Sequence, residues 1–203
     1  MTRGAKTLLA TIAVLALLGV LVWRAELFTV QRSGAQPRAL EVKPAGSRIE
    51  ARFDASLPMV PVGVQHMAPN GHVQIVQYWA PWMRHSGPQA VQLDSLRRLM
   101  PPGTVQVALV CFDPFPSVSR YVARMRLRLP VLLDLRRELS AGLPCPSIPY
   151  TYVIDHAGRV AASQSGEVDW LGPSTRAALD SLEAEREPPA PVEPSPTPAT
   201  SAL

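Results

Sequence analysis

The sequence predicts an α/β fold, a central mixed sheet flanked by helices, standing behind an N-terminal transmembrane helix. Three observations predict it. A charged start runs into a long apolar stretch. Between residues 73 and 182, apolar runs of strand length alternate with segments of helical periodicity. Two strand-like runs near the end of that region are joined by a tight Asp155-His156-Ala157-Gly158 turn, in the manner of a hairpin. The 203 residues allow one domain of ordinary size plus appendages. The expected division is a signal anchor at 1–24, a linker at 25–55, the α/β domain at 56–186 and a disordered proline-rich tail at 187–203.

The anchor rests on Arg3 and Lys6, followed by a run from 8 to 23 broken only by Thr11 and Gly19. The run ends Leu21-Val22-Trp23-Arg24, without a small-x-small cleavage site, so it reads as uncut. A span needs about 20 residues, which Thr7 and the residues after Trp23 supply. It has no polar face, unlike the amphipathic helices that border a soluble core. The positive flank places the N-terminus in the cytoplasm and the remainder outside.

In the linker, Ser33, Gly34, Pro37, Pro44 and Gly46 break any period, with room for a short strand at 40–53. Pro58, Pro61, Gly63 and Pro69 make 57–70 an irregular lead-in with a turn at Pro69-Asn70-Gly71. Residues 73–79 read as a buried strand, and 89–100 as a helix with Val91, Leu93, Leu96 and Leu99 largely on one side. Pro101-Pro102-Gly103 stops that helix. Residues 105–112 are apolar throughout except Gln106, as in a parallel strand covered on both faces. A helix follows at 117–127, capped by Ser117 or Ser119, with Tyr121, Val122 and Met125 inward. Residues 131–135 form a short third apolar run and 136–141 a helical turn or two. Strands are expected at 150–154 and 159–163, and a last helix at 173–185, with Pro173 near its first position. Beyond it come prolines at 188, 189, 191, 194, 196 and 198. Such a segment buries too little apolar surface to offset its ordering entropy.

The segment Tyr78-Trp79-Ala80-Pro81-Trp82-Met83-Arg84-His85-Ser86 resembles the active-site run of the thioredoxin family, an aromatic-Trp-Ala-x-Trp frame followed there by Cys-x-x-Cys. Ser147-Ile148-Pro149-Tyr150-Thr151-Tyr152-Val153-Ile154-Asp155 resembles the family's Val-Pro-Thr-Thr-Phe-Leu-Ile-Asp stretch, and the Asp155–Val160 turn its hairpin. The matches span about residues 73–182. They look most like the membrane-anchored, extracytoplasmic thiol-disulfide oxidoreductases of bacteria that serve cytochrome c maturation. The resemblance implies a thioredoxin-like sandwich in the periplasm, held at the bacterial inner membrane. It also implies a cis Pro149 set against the active-site turn, a rare bond outside such turns.

Met83 and Ser86 stand where the resemblance places the two cysteines. A thioether has no proton to lose and a serine hydroxyl is a poor nucleophile near pH 7, whereas disulfide exchange needs a thiolate. Loss of redox chemistry is therefore expected at this pair. The predicted role is binding of a protein or peptide along a groove formed by Trp79, Trp82, Met83, Arg84, His85, Ser86, Ile148, Pro149 and Tyr150. No cofactor, resident metal or nucleic-acid partner is expected. Two alternatives stay open. Cys111 and Cys145 are the only cysteines, with 33 residues between them. They read as a structural disulfide worth about 3–4 kcal/mol, as two free thiols, or as a relocated redox pair. Met83 and His85, with His66 and Met67, are soft donors suited to copper. A Ser86–His85 catalytic pair lacks any identifiable third group. The net charge of +4 is mild, and Arg120, Arg124 and Arg128 read as a solvated helix stripe, with a surface for an acidic partner as the alternative.

Overall fold

The computed structural model describes residues Gln36–Arg186. The expected anchor, the first part of the expected linker and the tail lie outside these residues. Among the described residues no helix is long and apolar enough to cross a membrane.

The chain builds an eight-stranded sheet from β1 (Ile49–Glu50), β2 (Ala55–Val60), β3 (Val64–Met67), β4 (Val73–Tyr78), β5 (Val105–Cys111), β6 (Val131–Leu133), β7 (Tyr150–Ile154) and β8 (Arg159–Ser165). Their order is β1-β8-β7-β4-β5-β6-β2-β3. The central strands β4, β5 and β6 are parallel, while β7 and β2 join them antiparallel on the two sides. Every residue of β4 is buried, which explains its apolar character, interrupted only by the buried Gln74 and Gln77.

Four α-helices are described: α1 (Ser86–Leu99), α2 (Phe115–Met125), α3 (Glu138–Gly142) and α4 (Pro173–Ala184). Alternate strand residues feed two separate cores. One core joins Ile75, Trp79, Leu109 and Cys111 to α1 through Leu93 and Leu96, to α2 through Val118 and Tyr121, and to α4 through Leu179 and Leu182. The other joins Val76, Tyr78, Val110 and Ile154 to Phe53, Leu57, Leu139 of α3 and Leu143. Each fully buried leucine contributes about 1.5–3 kcal/mol relative to an exposed one.

The structure corrects several expectations. The latter part of the expected linker is packed into the domain from Arg38 onward. Arg38 and Asp169 are tied through the backbone, Lys43 N–H donates to Ala161 C=O at 2.8 Å, and Leu40 and Phe53 are buried. The expected irregular lead-in is the β2–β3 hairpin, turned at Val60–Pro61, a second cis bond that the resemblance did not carry. Pro58 is tolerated because Met59 N–H donates to Gly63 C=O and ladder bonds alternate, so Pro58 falls between the residues that bond β3.

Helix α1 starts three residues early, at Ser86. Pro88 lies in its first turn, where a backbone N–H has no partner inside the helix. Gly87 admits the Tyr121 hydroxyl, since a Cβ there would lie 2.2 Å from it. Helix α2 likewise starts early, after Pro114, and neither expected serine caps it. Ser117 and Ser119 donate to Pro114 C=O and Pro116 C=O. It ends at Met125 with Arg126 at φ 54°, so Arg128 does not continue the stripe of Arg120 and Arg124.

Candidate functional site

The site lies at the end of the sheet where β4 leaves and β7 enters. Tyr78 is registered opposite Tyr150. The turn after β4 and the Ile148–Pro149 bond before β7 therefore share one sheet edge. That bond is cis, as the resemblance implied. Beyond β4 the chain is held by Trp79 N–H donating to Val110 C=O, then folds through Met83 N–H to Ala80 C=O (3.2 Å) and Ser86 N–H to Met83 C=O (3.1 Å). Ser86 is fully buried, and its Oγ accepts the Ala80 N–H at 3.3 Å. It closes the turn and presents nothing to solvent.

The remaining expected groove residues divide sharply. Trp82 is 67 % exposed, Arg84 is exposed, and Met83, Ile148 and Tyr150 are half-buried. Pro149 is buried. Trp79 is 1 % exposed and its ring lies 5.2 Å from that of Tyr121. Its side chain belongs to the core, a correction to its place in the groove. His85 directs Nδ1 to Glu167 Oε1 at 2.9 Å, away from the buried Ser86 hydroxyl, so the two form no catalytic pair.

A buried amide anchors this edge from beneath. Gln89, on the first turns of α1, accepts the Val168 N–H at 3.0 Å and donates to Val168 C=O at 2.9 Å. Gln77 Nε2 donates to Gln89 Oε1 and to Thr151 Oγ1 at 3.4 and 3.5 Å. These residues were not singled out from the sequence. The available signal was a glutamine inside an otherwise apolar strand.

Cys111 and Cys145 are both free, which removes the favoured disulfide. The reason is geometric. Cys111 faces the core beneath α1 and α2, whereas Cys145 packs against the core on the opposite side of the sheet. Burial pushes the Cys111 thiol up to about 12, and its sulfur lies 3.4 Å from Asp113 Oδ2. Burial also raises the Cys145 thiol, which donates to Ser147 C=O at 3.1 Å. Neither is activated as a nucleophile. His66 pairs with Ser56 and faces Asp54 on the β2–β3 hairpin, far in sequence pairing from the Met83 turn. Among the described residues no three His, Cys, Asp or Glu side chains gather as a metal site.

A cleft of about 420 Å³ opens beside the turn, lined by Pro81, Trp82, Asp113, Ser117, Arg120, Tyr121 and Arg124. It lies on the α2 side of Trp82, not toward the Pro149 loop. From the sequence its arginines read first as a solvated stripe, with an acidic-partner surface as the alternative.

Comparison with solved structures decides the architecture. The chain superposes on a thiol:disulfide interchange protein of the thioredoxin family from Chlorobium tepidum with a TM-score of 0.56, at 18% identity, covering 66% of this chain and 98% of that one. The fold is thioredoxin-like. The dsbF protein of Mycobacterium tuberculosis gives the same TM-score of 0.56 at 18% identity, covering 66% of this chain and 98% of that one. StoA from Bacillus subtilis gives 0.53 at 15% identity, covering 63% and 94%. No family model matches the chain. No curated protein matches it. In this thioredoxin-like frame, the Met83 turn at the carboxyl end of β4 and the cis Pro149 before β7 are the landmarks that give the site its position.

Proposed function

We propose that this is a membrane-anchored, extracytoplasmic thioredoxin-like protein that works without a redox dithiol. It binds an extended polypeptide at the sheet edge where the Met83 turn meets the Ile148–Pro149 loop. The observation that carries the reading is the pairing of an exposed Trp82 with a sealed Ser86. Trp82, Met83, Ile148 and Tyr150 supply apolar surface there, and no sulfur able to form a thiolate lies on the turn. An aromatic of this size left in water at a concave edge is characteristic of a contact surface.

The test is insulin reduction by the full-length chain in the presence of dithiothreitol. The expected result is no acceleration, with Cys111→Ser and Cys145→Ser indistinguishable from the parent. Turnover that disappears in either variant would overturn the proposal.

A further inference from the structure

We propose that the cleft between Trp82 and α2 recognises acidic side chains of the bound polypeptide, so that the partner is an acidic extended segment. The inference rests on the peptide-binding reading above and names the chemistry of its ligand.

The cleft is built from one exposed indole and two guanidinium groups. Arg120 and Arg124 are one helical turn apart on α2, and both are exposed. Each is already oriented. Arg120 Nε donates to Pro116 C=O at 2.9 Å, which holds the stem and leaves the terminal nitrogens of the fork to face outward. Arg124 stacks over the Tyr121 ring, with its central carbon 5.1 Å from the ring centroid. Among the described residues neither enters an ion pair, although Arg48, Arg52, Arg98, Arg136 and Arg159 all do. The one acid in the cleft is Asp113, which already accepts from the Cys111 thiol. Positive charge is thus in excess, and Arg84 is exposed on the adjoining turn.

A planar, pre-oriented guanidinium matches a carboxylate in a two-pronged geometry, and two of them one helical turn apart suit carboxylates along an extended chain. Trp82 offers the apolar platform between them and the Pro149 side. An ordinary solvated stripe would not place both arginines against the wall of the same cleft as the exposed tryptophan.

The experiment uses the full-length chain and two fluorescein-labelled decapeptides, one of Val, Ser and Gln, the other with Glu in place of every Gln. Fluorescence anisotropy is read at about 0.15 M salt, where the screening length is near 8 Å. The Glu peptide is expected to bind roughly tenfold more tightly than the Gln peptide. Arg120→Gln combined with Arg124→Gln removes that difference, and Asp113→Asn enlarges it. The arginines are exposed, so circular dichroism of the double variant stays that of the parent. Equal binding of both peptides, lost on Trp82→Ala, would overturn the acidic selection while leaving the peptide-binding reading standing. Binding of neither peptide would overturn both. Binding of the Glu peptide only after removal of residues 187–203 would overturn the partner assignment and give the cleft to the chain's own tail, with its Glu187 and Glu193.

Discussion

Replacing Asp155 by Asn removes the charge on which the β7–β8 hairpin and the segment before β1 converge. Asp155 Oδ1 accepts the Ala157 and Arg159 backbone N–H groups at 3.0 and 2.8 Å. Its Oδ2 accepts from Arg48 at 3.1 Å and from Arg159 Nε at 3.0 Å. Asparagine keeps an acceptor for the turn but not the negative charge. The Arg48 and Asp155 side chains are each 3% exposed, so the pair is screened little by water. Glu185 still bonds Arg48 from the helix end, which limits the loss. A hydrogen bond to a charged group is worth about 1.5–3 kcal/mol, and breaking a buried pair costs about 3–5. With Glu185 retained, the expected destabilisation is about 2–4 kcal/mol at pH 7. For a urea slope of about 2 kcal/mol/M this lowers the midpoint by about 1–2 M.

The pH dependence supplies the check. Burial pushes the Asp155 carboxyl up, but the bonds from the Arg159 backbone and the Arg48 and Arg159 side chains outweigh it and hold the carboxyl below its usual value. The group is therefore more acidic folded than unfolded. Its stabilisation is complete above the unfolded value of about 3.9 and fades as pH falls through the lower folded value. Urea midpoints of parent and Asp155→Asn should differ at pH 7 and draw together as the pH falls through the lowered folded value. Equal midpoints at pH 7, or a gap that widens in acid, would refute the reasoning.

Two further outcomes follow from the same structure. In the native protein at pH 8, Ellman's reagent should react promptly with the half-exposed Cys145 and leave Cys111 untouched, because a thiol near 12 is ionised to roughly one part in ten thousand there; two fast thiols, or none after unfolding, would contradict it. Gln89→Leu leaves the buried Val168 N–H unpaired, while the Val168 C=O keeps the Trp170 N–H as donor, at a cost of about 1–3 kcal/mol. Amide exchange at Val168 should accelerate with it, and unaltered protection would show that the amide bridge does not hold this edge.

The part of the fold legible in the sequence is the part whose pattern is local. The largely apolar runs of β4 and β5, the helix around Leu93 and Leu96, and the Asp155–Gly158 turn stand where their pattern places them. What escaped is held by long-range partners. Residues 37–55 have no period because their backbone bonds go to Glu167, Asp169 and Ala161, more than a hundred positions away. The β2–β3 hairpin was hidden by its prolines, Pro58 between the residues that bond β3 and Pro61 in the turn. At the site, the Met83 turn and the cis Pro149 were readable from motif. The burial of Trp79 and Ser86 was not, since an aromatic and a hydroxyl suit a rim and a core equally well. The cysteines paired plausibly by count, yet alternation along β5 sends Cys111 to the face opposite Cys145, a fact only the assembled sheet supplies.

The most direct measurement restores the missing chemistry. In the double variant Met83→Cys, Ser86→Cys, one thiol opens α1 and the other sits on the turn three residues before it, close to a helix end that favours a thiolate. If this turn is the empty counterpart of a redox site, the variant forms an 83–86 disulfide on mild oxidation. It then reduces insulin at least about tenfold faster than the silent parent chain. A natively folded double variant that forms no such disulfide and stays as inactive as the parent would contradict the account.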